Sequence, residues 1–317
     1  KRIQMKVGLI DVDGHHFPNI PLMKLSAWHK ARGDTVEWYE PLFSGHLDRV
    51  YVSKVFSFTG DYPYHIQADE VIKGGTGYCI EAVNGMEQYR KEKDMRLPDE
   101  IEHTCPDYSL YPELCSDTAY GFLTRGCPRE CKFCHVGAKE GTCSVKVSEL
   151  SEFWHGQKKI VLCDPNLIAC REWRPLLQQL IDSKAKVNLN QGVDIRLMTP
   201  EKAQMIKQLR IDSIHFAWDR YEDKEKILPK FKMFKEITGW GVPKVSVFVL
   251  TNFDTTIEQD LDRIYTLRDM GYNPYVMIYN KEATGKNDTV RQMQRWVNNR
   301  RIFHTVKNFE DYSGKRK

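Results

Sequence analysis

Apolar residues recur along this chain in two rhythms, short unbroken runs and helical spacings, and the two alternate. Val7, Leu9, Ile10 and Val12 form a run that ends in Asp13-Gly14, the pattern of a buried parallel strand. His15-His16-Phe17-Pro18-Asn19 reads as a loop from its proline and asparagine. Over residues 20–32, Leu22, Leu25, Ala27, Trp28 and Ala31 return at helical spacing, and Gly33 closes that helix. Residues 35–39 are a second strand, 49–52 together with 55–58 a third, and 70–77 a fourth that ends in glycines. Strands alternating with helices predict a parallel sheet in this part.

Pro98, Pro106 and Pro112 then punctuate an irregular connector. Beyond it a strand-then-helix unit repeats six times. Strands are expected at 119–123, 159–163, 187–190, 213–218, 245–250 and 275–279. Amphipathic helices are expected at 173–183, 200–209, 224–238 and 257–270. The fold class is therefore α/β, a partial (βα)6 TIM-type barrel preceded by a small doubly wound, Rossmann-like domain. Its expected divisions are 1–97 for the first domain, 98–118 for the connector, 119–303 for the barrel and 304–317 for a basic, disordered tail.

In barrels of this kind the chemistry sits at the carboxyl ends of the strands. Here each apolar run gives way within a residue or two to Asp, Asn, Arg or a neighbouring polar group. These are Asp164 and Asn166, Asp194 and Arg196, Asp219 and Arg220, Thr251 and Asn252, and Tyr279 and Asn280. Loops are polar in any case, but the pattern returns at strand after strand.

Composition changes this picture little. At 317 residues and 41% hydrophobic content the chain can fill two domains or one large one, and the net charge of +4 allows a nucleic-acid partner without arguing for one. No apolar run reaches a membrane span. Lys1-Arg2-Ile3-Gln4-Met5-Lys6 leads straight into a strand, so no signal peptide is expected. Nine cysteines, an odd number in a large chain, point to reduced thiols and a cytoplasmic location.

Three of those thiols carry the chemistry. Cys127, Cys131 and Cys134 stand in the run Cys127-Pro128-Arg129-Glu130-Cys131-Lys132-Phe133-Cys134, a CxxxCxxC spacing. Three thiolates on one loop can hold three irons of a [4Fe–4S] cubane and leave the fourth open to a small molecule. Zinc with a distant fourth ligand, or ordinary thiols, are the competing readings. Zinc sites usually bring a second CxxC pair, and none is present. The spacing, with Phe133 in the aromatic slot before the last cysteine, resembles the radical S-adenosylmethionine (SAM) superfamily. That resemblance implies a [4Fe–4S] cluster with SAM on the open iron. It further implies reductive cleavage of SAM, a 5′-deoxyadenosyl radical, and hydrogen abstraction from a substrate.

SAM needs acceptors for its ammonium, a cation for its carboxylate, partners for its ribose and an apolar slot for adenine. Where the superfamily usually has Gly-Gly-Glu after the second strand, this chain has Asp164-Pro165-Asn166. The departure resembles members with cobalamin-type N-terminal domains. Asp164 is the candidate for the ammonium, Arg196 or Arg220 for the carboxylate, and Asp194 and Asp219 for the ribose or for orienting the arginines. Phe133, Asn166, Thr251, Asn252 and Tyr279 complete the expected cofactor-binding set.

The first domain itself resembles the cobalamin-binding domain that precedes many radical SAM domains. Its cobalt-ligand motif DxHxxG starts at Asp13-Gly14-His15 but meets Pro18 where glycine belongs. Neither His15 nor His16 is therefore expected to be a ligand, and cobalamin is not the favoured cofactor. Cys105, Cys115 and Cys143 are read as plain thiols, not an auxiliary site, and Arg125, Arg129 and His135 as solvated loop residues beside the cluster. Residues after 303 are too few and too poor in cysteine for a second cluster domain. The expected function is hydrogen abstraction from a small molecule, protein or nucleic acid, with electrons from a flavodoxin- or ferredoxin-type donor and no catalytic side chain assigned. A cobalamin-dependent radical SAM methyltransferase and a non-catalytic iron–sulfur redox or sensing protein are the alternatives.

Overall fold

The computed structural model describes residues 3–14, 16–83 and 86–312. In its first part β1 (Lys6–Asp11), α1 (Ile20–Ala31), β2 (Thr35–Trp38), β3 (Leu47–Ser53) and β4 (Ala68–Gly74) follow one another, and the strands pair in parallel in the order β2-β1-β3-β4. β1 is apolar on both sides because both are covered. Val7 and Leu9 pack with Leu22 and Leu25 of α1, and Ile10 packs with Tyr39, Leu47 and Val52. Asn19 starts α1 by accepting the Leu22 N–H at 3.2 Å, with Pro21 in the first turn. The helix α2 (Thr76–Cys79), the hairpin β5 (Ile80–Val83) and β6 (Met86–Tyr89), and the helical turns α3 (Asp99–Glu102) and α4 (Pro112–Cys115) come next.

The second part opens with β7 (Thr118–Gly121), then β8 (Thr124–Arg125), α5 (Val136–Glu140) and β9 (Val145–Lys146). It continues as β10 (Lys159–Leu162), α6 (Trp173–Ser183), β11 (Lys186–Val193), α7 (Pro200–Lys207), β12 (Arg210–Ala217), α8 (Lys224–Thr238), β13 (Val245–Thr251), α9 (Ile257–Asp269) and β14 (Asn273–Ile278), and ends with α10 (Thr289–Asn298) and α11 (Arg300–Thr305). Its sheet has six parallel strands in unbroken chain order, β14-β13-β12-β11-β10-β7. Ile160, Leu189, Ile214, Phe216, Val247 and Val276 on one face pack with Leu176, Leu180, Ile206, Phe231, Ile264 and Trp296 of the helices in the main core. The chain is thus α/β with two parallel sheets. Among the described residues no helix is long and apolar enough to cross a membrane.

The two sheets meet through α1. Ile20 and Met23 pack with Cys115, and with Tyr120 and Cys163 at the β7–β10 edge of the large sheet. Phe17 stands edge-on to Tyr120 at 5.2 Å. The connector joins them further, with Tyr111 Oη donating to Asp11 at 2.6 Å and Tyr108 Oη to the Phe153 carbonyl at 2.6 Å.

Three local expectations are corrected. Residues 55–58 do not extend the third strand; Phe56 and Phe58 stack on each other at 5.2 Å in an exposed turn. The fourth strand stops at Gly74, and Gly75, at a φ of +100°, turns the chain into α2. The expected tail is packed at its start, where Phe309 lies 5.5 Å from Trp296 and its N–H donates to Tyr265 Oη at 2.9 Å. Residues 313–317 lie outside the described residues.

Candidate functional site

The three cysteines sit on a loop whose approach is pinned residue by residue. Asp164, at the carboxyl end of β10, accepts the Leu123 N–H at 3.1 Å, the Thr124 N–H at 2.6 Å and the Thr124 hydroxyl at 2.7 Å. Glu140 of α5 accepts from Arg125 at 3.0 Å and from the Gly126 N–H at 3.3 Å. The Cys127 N–H donates to the Gly141 carbonyl at 3.1 Å. Gly126 has a φ of +83°, and a Cβ there would collide with the Cys143 carbonyl, so only glycine fits. The β8–β9 pair closes the loop at its base, and the Cys134 N–H donates to the Cys131 carbonyl at 2.9 Å.

Cys127 and Cys131 are half-buried, while Cys134 lies at the surface with its thiol hemmed in by neighbouring atoms. Burial first, then the charges of Asp219 and Cys127, holds the Cys131 thiol above the ordinary range. Burial followed by Cys131, Cys127 and Asp219 does the same for Cys134. The three thiols are therefore close enough to feel one another. Among the described residues, however, no three His, Cys, Asp or Glu side chains converge tightly enough to hold a single metal ion.

The ends of the other strands meet this loop in turn. Asn166, 1% exposed, donates from Nδ2 to Cys127 Sγ at 3.6 Å, and its main-chain carbonyl accepts the Ser144 hydroxyl at 3.0 Å. Arg129 reaches from the loop to Asp194 after β11, with Nε 3.3 Å from Oδ2. Asp194 Oδ1 in turn accepts from Arg196 Nε at 2.7 Å, and Arg196 continues to Asp223 at 2.7 Å. Burial pushes Asp219, after β12, up to about 6, against the pull of Arg263 and Arg196. Phe133 of the loop stands edge-on to Phe253 at 5.5 Å, and Phe253 to Tyr279 at 4.9 Å. The cysteine loop thus touches or faces the carboxyl ends of β10, β11, β12 and β13, and reaches that of β14 through Phe253.

Several expected cofactor contacts have other work. Asp164 is 5% exposed, and its carboxylate accepts from Leu123 and Thr124. Arg220 is 50% exposed and pairs with Glu222, away from the loop contacts. Thr251 donates to the Met277 carbonyl at 3.3 Å and Asn252 to the Tyr279 carbonyl at 3.0 Å, which ties β13 to β14. Arg129 and His135 are not solvated loop residues. The former faces Asp194, and the latter lies 3.5 Å from Glu87 beside β5–β6.

Arg263, Phe253 and Glu140 escaped the sequence reading. Arg263 is fully buried and donates to the carbonyls of Trp218, Asp219 and Leu250, joining the ends of β12 and β13. Its only sequence signal is the i,i+3 pairing with Asp260. Phe253 directly follows the expected Asn252.

Beside the small sheet, Lys139 of α5 donates to Thr76 Oγ1 at 2.7 Å, so α5 bridges the loop and the first part of the chain. His15, the histidine of the broken cobalt-ligand motif, lies outside the described residues. Cys115 is buried in apolar surroundings, Cys105 Sγ lies 3.2 Å from His155 Nε2, and Cys143 is exposed.

Three buried polar atoms ring the cysteine loop without a hydrogen bond among the described residues: Arg129 Nε and Asp194 Oδ2, which meet each other as an ion pair at 3.3 Å, and Asn166 Oδ1. One is a donor on a cation and two are acceptors. A buried acceptor without a donor, such as Asn166 Oδ1, is costly in a folded interior, and a cation beside two acceptors is complementary to an α-amino acid zwitterion. No protein-family model matches this chain, and no curated protein matches it.

Proposed function

We propose that this chain is a radical SAM enzyme, with a [4Fe–4S] cluster on Cys127, Cys131 and Cys134. The observation that carries the reading is the buried Arg129–Asp194 ion pair together with the unsatisfied Asn166 Oδ1 beside those thiols. Arg129 meets the SAM carboxylate, and Asp194 with Asn166 meets the ammonium. These contacts replace the ones expected of Asp164, Arg196 and Arg220. Arg196 instead orients Asp194. Phe133, Phe253 and Tyr279 form the apolar wall for adenine and exclude water, and Asp219 offers acceptors to the ribose. When bound, the cluster supplies the electron that cleaves the sulfonium and so releases the radical that abstracts hydrogen. Electrons enter from a flavodoxin- or ferredoxin-type donor on the side where Cys134 reaches the surface.

The architecture supports the same reading. Parallel strands in unbroken chain order, joined by crossovers of one hand, collect their helices on one face and curl the sheet. That suits a partial (βα)6 barrel with its chemistry at the carboxyl ends. In the small sheet the order reverses beside β1, as in a doubly wound, Rossmann-like domain.

The test is SAM affinity of the reconstituted protein, measured by calorimetry. Arg129→Ala is expected to weaken binding by about 1.5–3 kcal/mol, the range for a hydrogen bond to a charged group. Arg220→Ala is expected to leave it unchanged. Equal affinity in the two variants removes Arg129 from the site.

A further inference from the structure

We infer that Asp164 is a positioning residue for the cluster loop rather than a SAM contact, and that it governs how firmly the chain keeps its cluster. The inference rests on the radical SAM reading for what the loop holds, but its geometry is independent of it. Asp164 lies at the end of β10, in the neighbouring strand to β7, from which the loop departs. Its carboxylate takes both backbone N–H groups of Leu123 and Thr124 and the Thr124 hydroxyl. From the other side Glu140 takes the Gly126 N–H and Arg125. Two carboxylates therefore grip residues 123–126, the approach to Cys127, and the next N–H, that of Cys127, goes to Gly141.

Two residues beyond Asp164, Asn166 touches Cys127 Sγ itself. Asp164-Pro165-Asn166 thus acts as a socket: its first residue fixes the backbone that leads to the ligand, and its third supports the ligand's sulfur. Partners that orient metal ligands govern retention of the metal, and losing one typically costs 10–100-fold. A carboxylate suits this position because it accepts at both oxygens. An amide accepts at only one, and its nitrogen would face the Leu123 N–H.

The experiment measures the rate of iron loss to excess EDTA from anaerobically reconstituted full-length protein, with SAM affinity of the loaded protein as a second readout. Asp164→Ala is expected to lose iron about 10–100-fold faster than wild type. Asp164→Asn falls between the two, and Thr124→Val, which removes one donor, shows a smaller acceleration. Leu180→Ala, a core substitution in α6, is expected to keep the wild-type rate despite its lower stability, which separates positioning from general weakening. Loaded Asp164→Asn keeps wild-type SAM affinity. Wild-type iron-loss rates in both Asp164 variants overturn the inference, and so does an Asn variant that keeps its iron but loses SAM. Amide hydrogen exchange on metal-free protein gives an arm that needs no cluster: Leu123 and Thr124 are expected to exchange faster in Asp164→Asn. A wild-type chain that binds no iron contradicts the radical SAM reading and leaves this arm to decide the role of Asp164. If Asp164→Ala does not fold, Thr124→Val carries the test.

Discussion

Asp164 also sets a pH dependence. Burial, outweighing the donors from Thr124 and Leu123, pushes its carboxyl group up to about 6 from an ordinary 3.8. The native state then holds that proton more tightly than the unfolded chain. Stability falls as pH rises through the interval between those two values, and the loss is complete above it. In metal-free protein, the urea midpoint of Asp164→Asn minus that of wild type is expected to rise as pH goes from about 4 to about 7. A constant difference contradicts the assignment. Arg263 sets a second expectation. Arg263→Met leaves Asp260 buried without its cation and three strand-end carbonyls without a donor, and is expected to cost about 3–5 kcal/mol in urea unfolding. A cost under about 1 kcal/mol would show the clamp to be dispensable. Of these residues the sequence marks only the strand-end ones. Asn166, Asp194 and Asp219 are visible where an apolar run turns polar. Arg129 is not, because its partner depends on the cysteine loop folding back over the end of β11.

At the scale of elements, strands with a single buried face and helices with regular spacing are legible. The shortest pairings are not. β8 and β9 contain two residues each, and no periodicity exists over so short a stretch. What fixes them is Glu140, Asp164 and the tight turn at Gly126, all of which act through tertiary contacts. Residues 55–58 alternate like a strand, but an alternating pattern shows only that two faces differ, and here both phenylalanines face solvent. α10 is not among the expected helices, although Val290, Met293, Trp296 and Val297 follow helical spacing and are buried. The turn at Gly126 gives the test for this scale. Gly126→Ala places a side chain at positive φ against the Cys143 carbonyl and is expected to cost at least about 1–3 kcal/mol of stability and to impair cluster assembly. Thermal denaturation and iron content check it, and a variant that matches wild type in both shows the loop to be more tolerant than this geometry allows.

The whole molecule joins two parallel sheets through α1 and the connector, and that joint was not legible as such. The prolines at 98, 106 and 112 suggested irregular chain, but only the fold shows Tyr108 and Tyr111 bonding across the junction. Met23, fully buried where α1 meets the edge of the large sheet, tests how far the two parts depend on each other. Met23→Ala is expected to cost about 2–5 kcal/mol and to speed hydrogen exchange in both α1 and β7. Faster exchange in α1 alone shows that the parts are stabilised separately. Strand ends from five of the six large-sheet strands converge on one cysteine loop, which is where the proposed function places its chemistry. The most direct measurement is therefore anaerobic reduction of the reconstituted protein in the presence of SAM, with 5′-deoxyadenosine and methionine followed by chromatography. Wild type is expected to release both, and Cys127→Ala, Cys131→Ala and Cys134→Ala neither. A wild-type protein that binds an iron–sulfur cluster through these cysteines yet releases no 5′-deoxyadenosine contradicts the radical SAM assignment and leaves a non-catalytic iron–sulfur protein in its place.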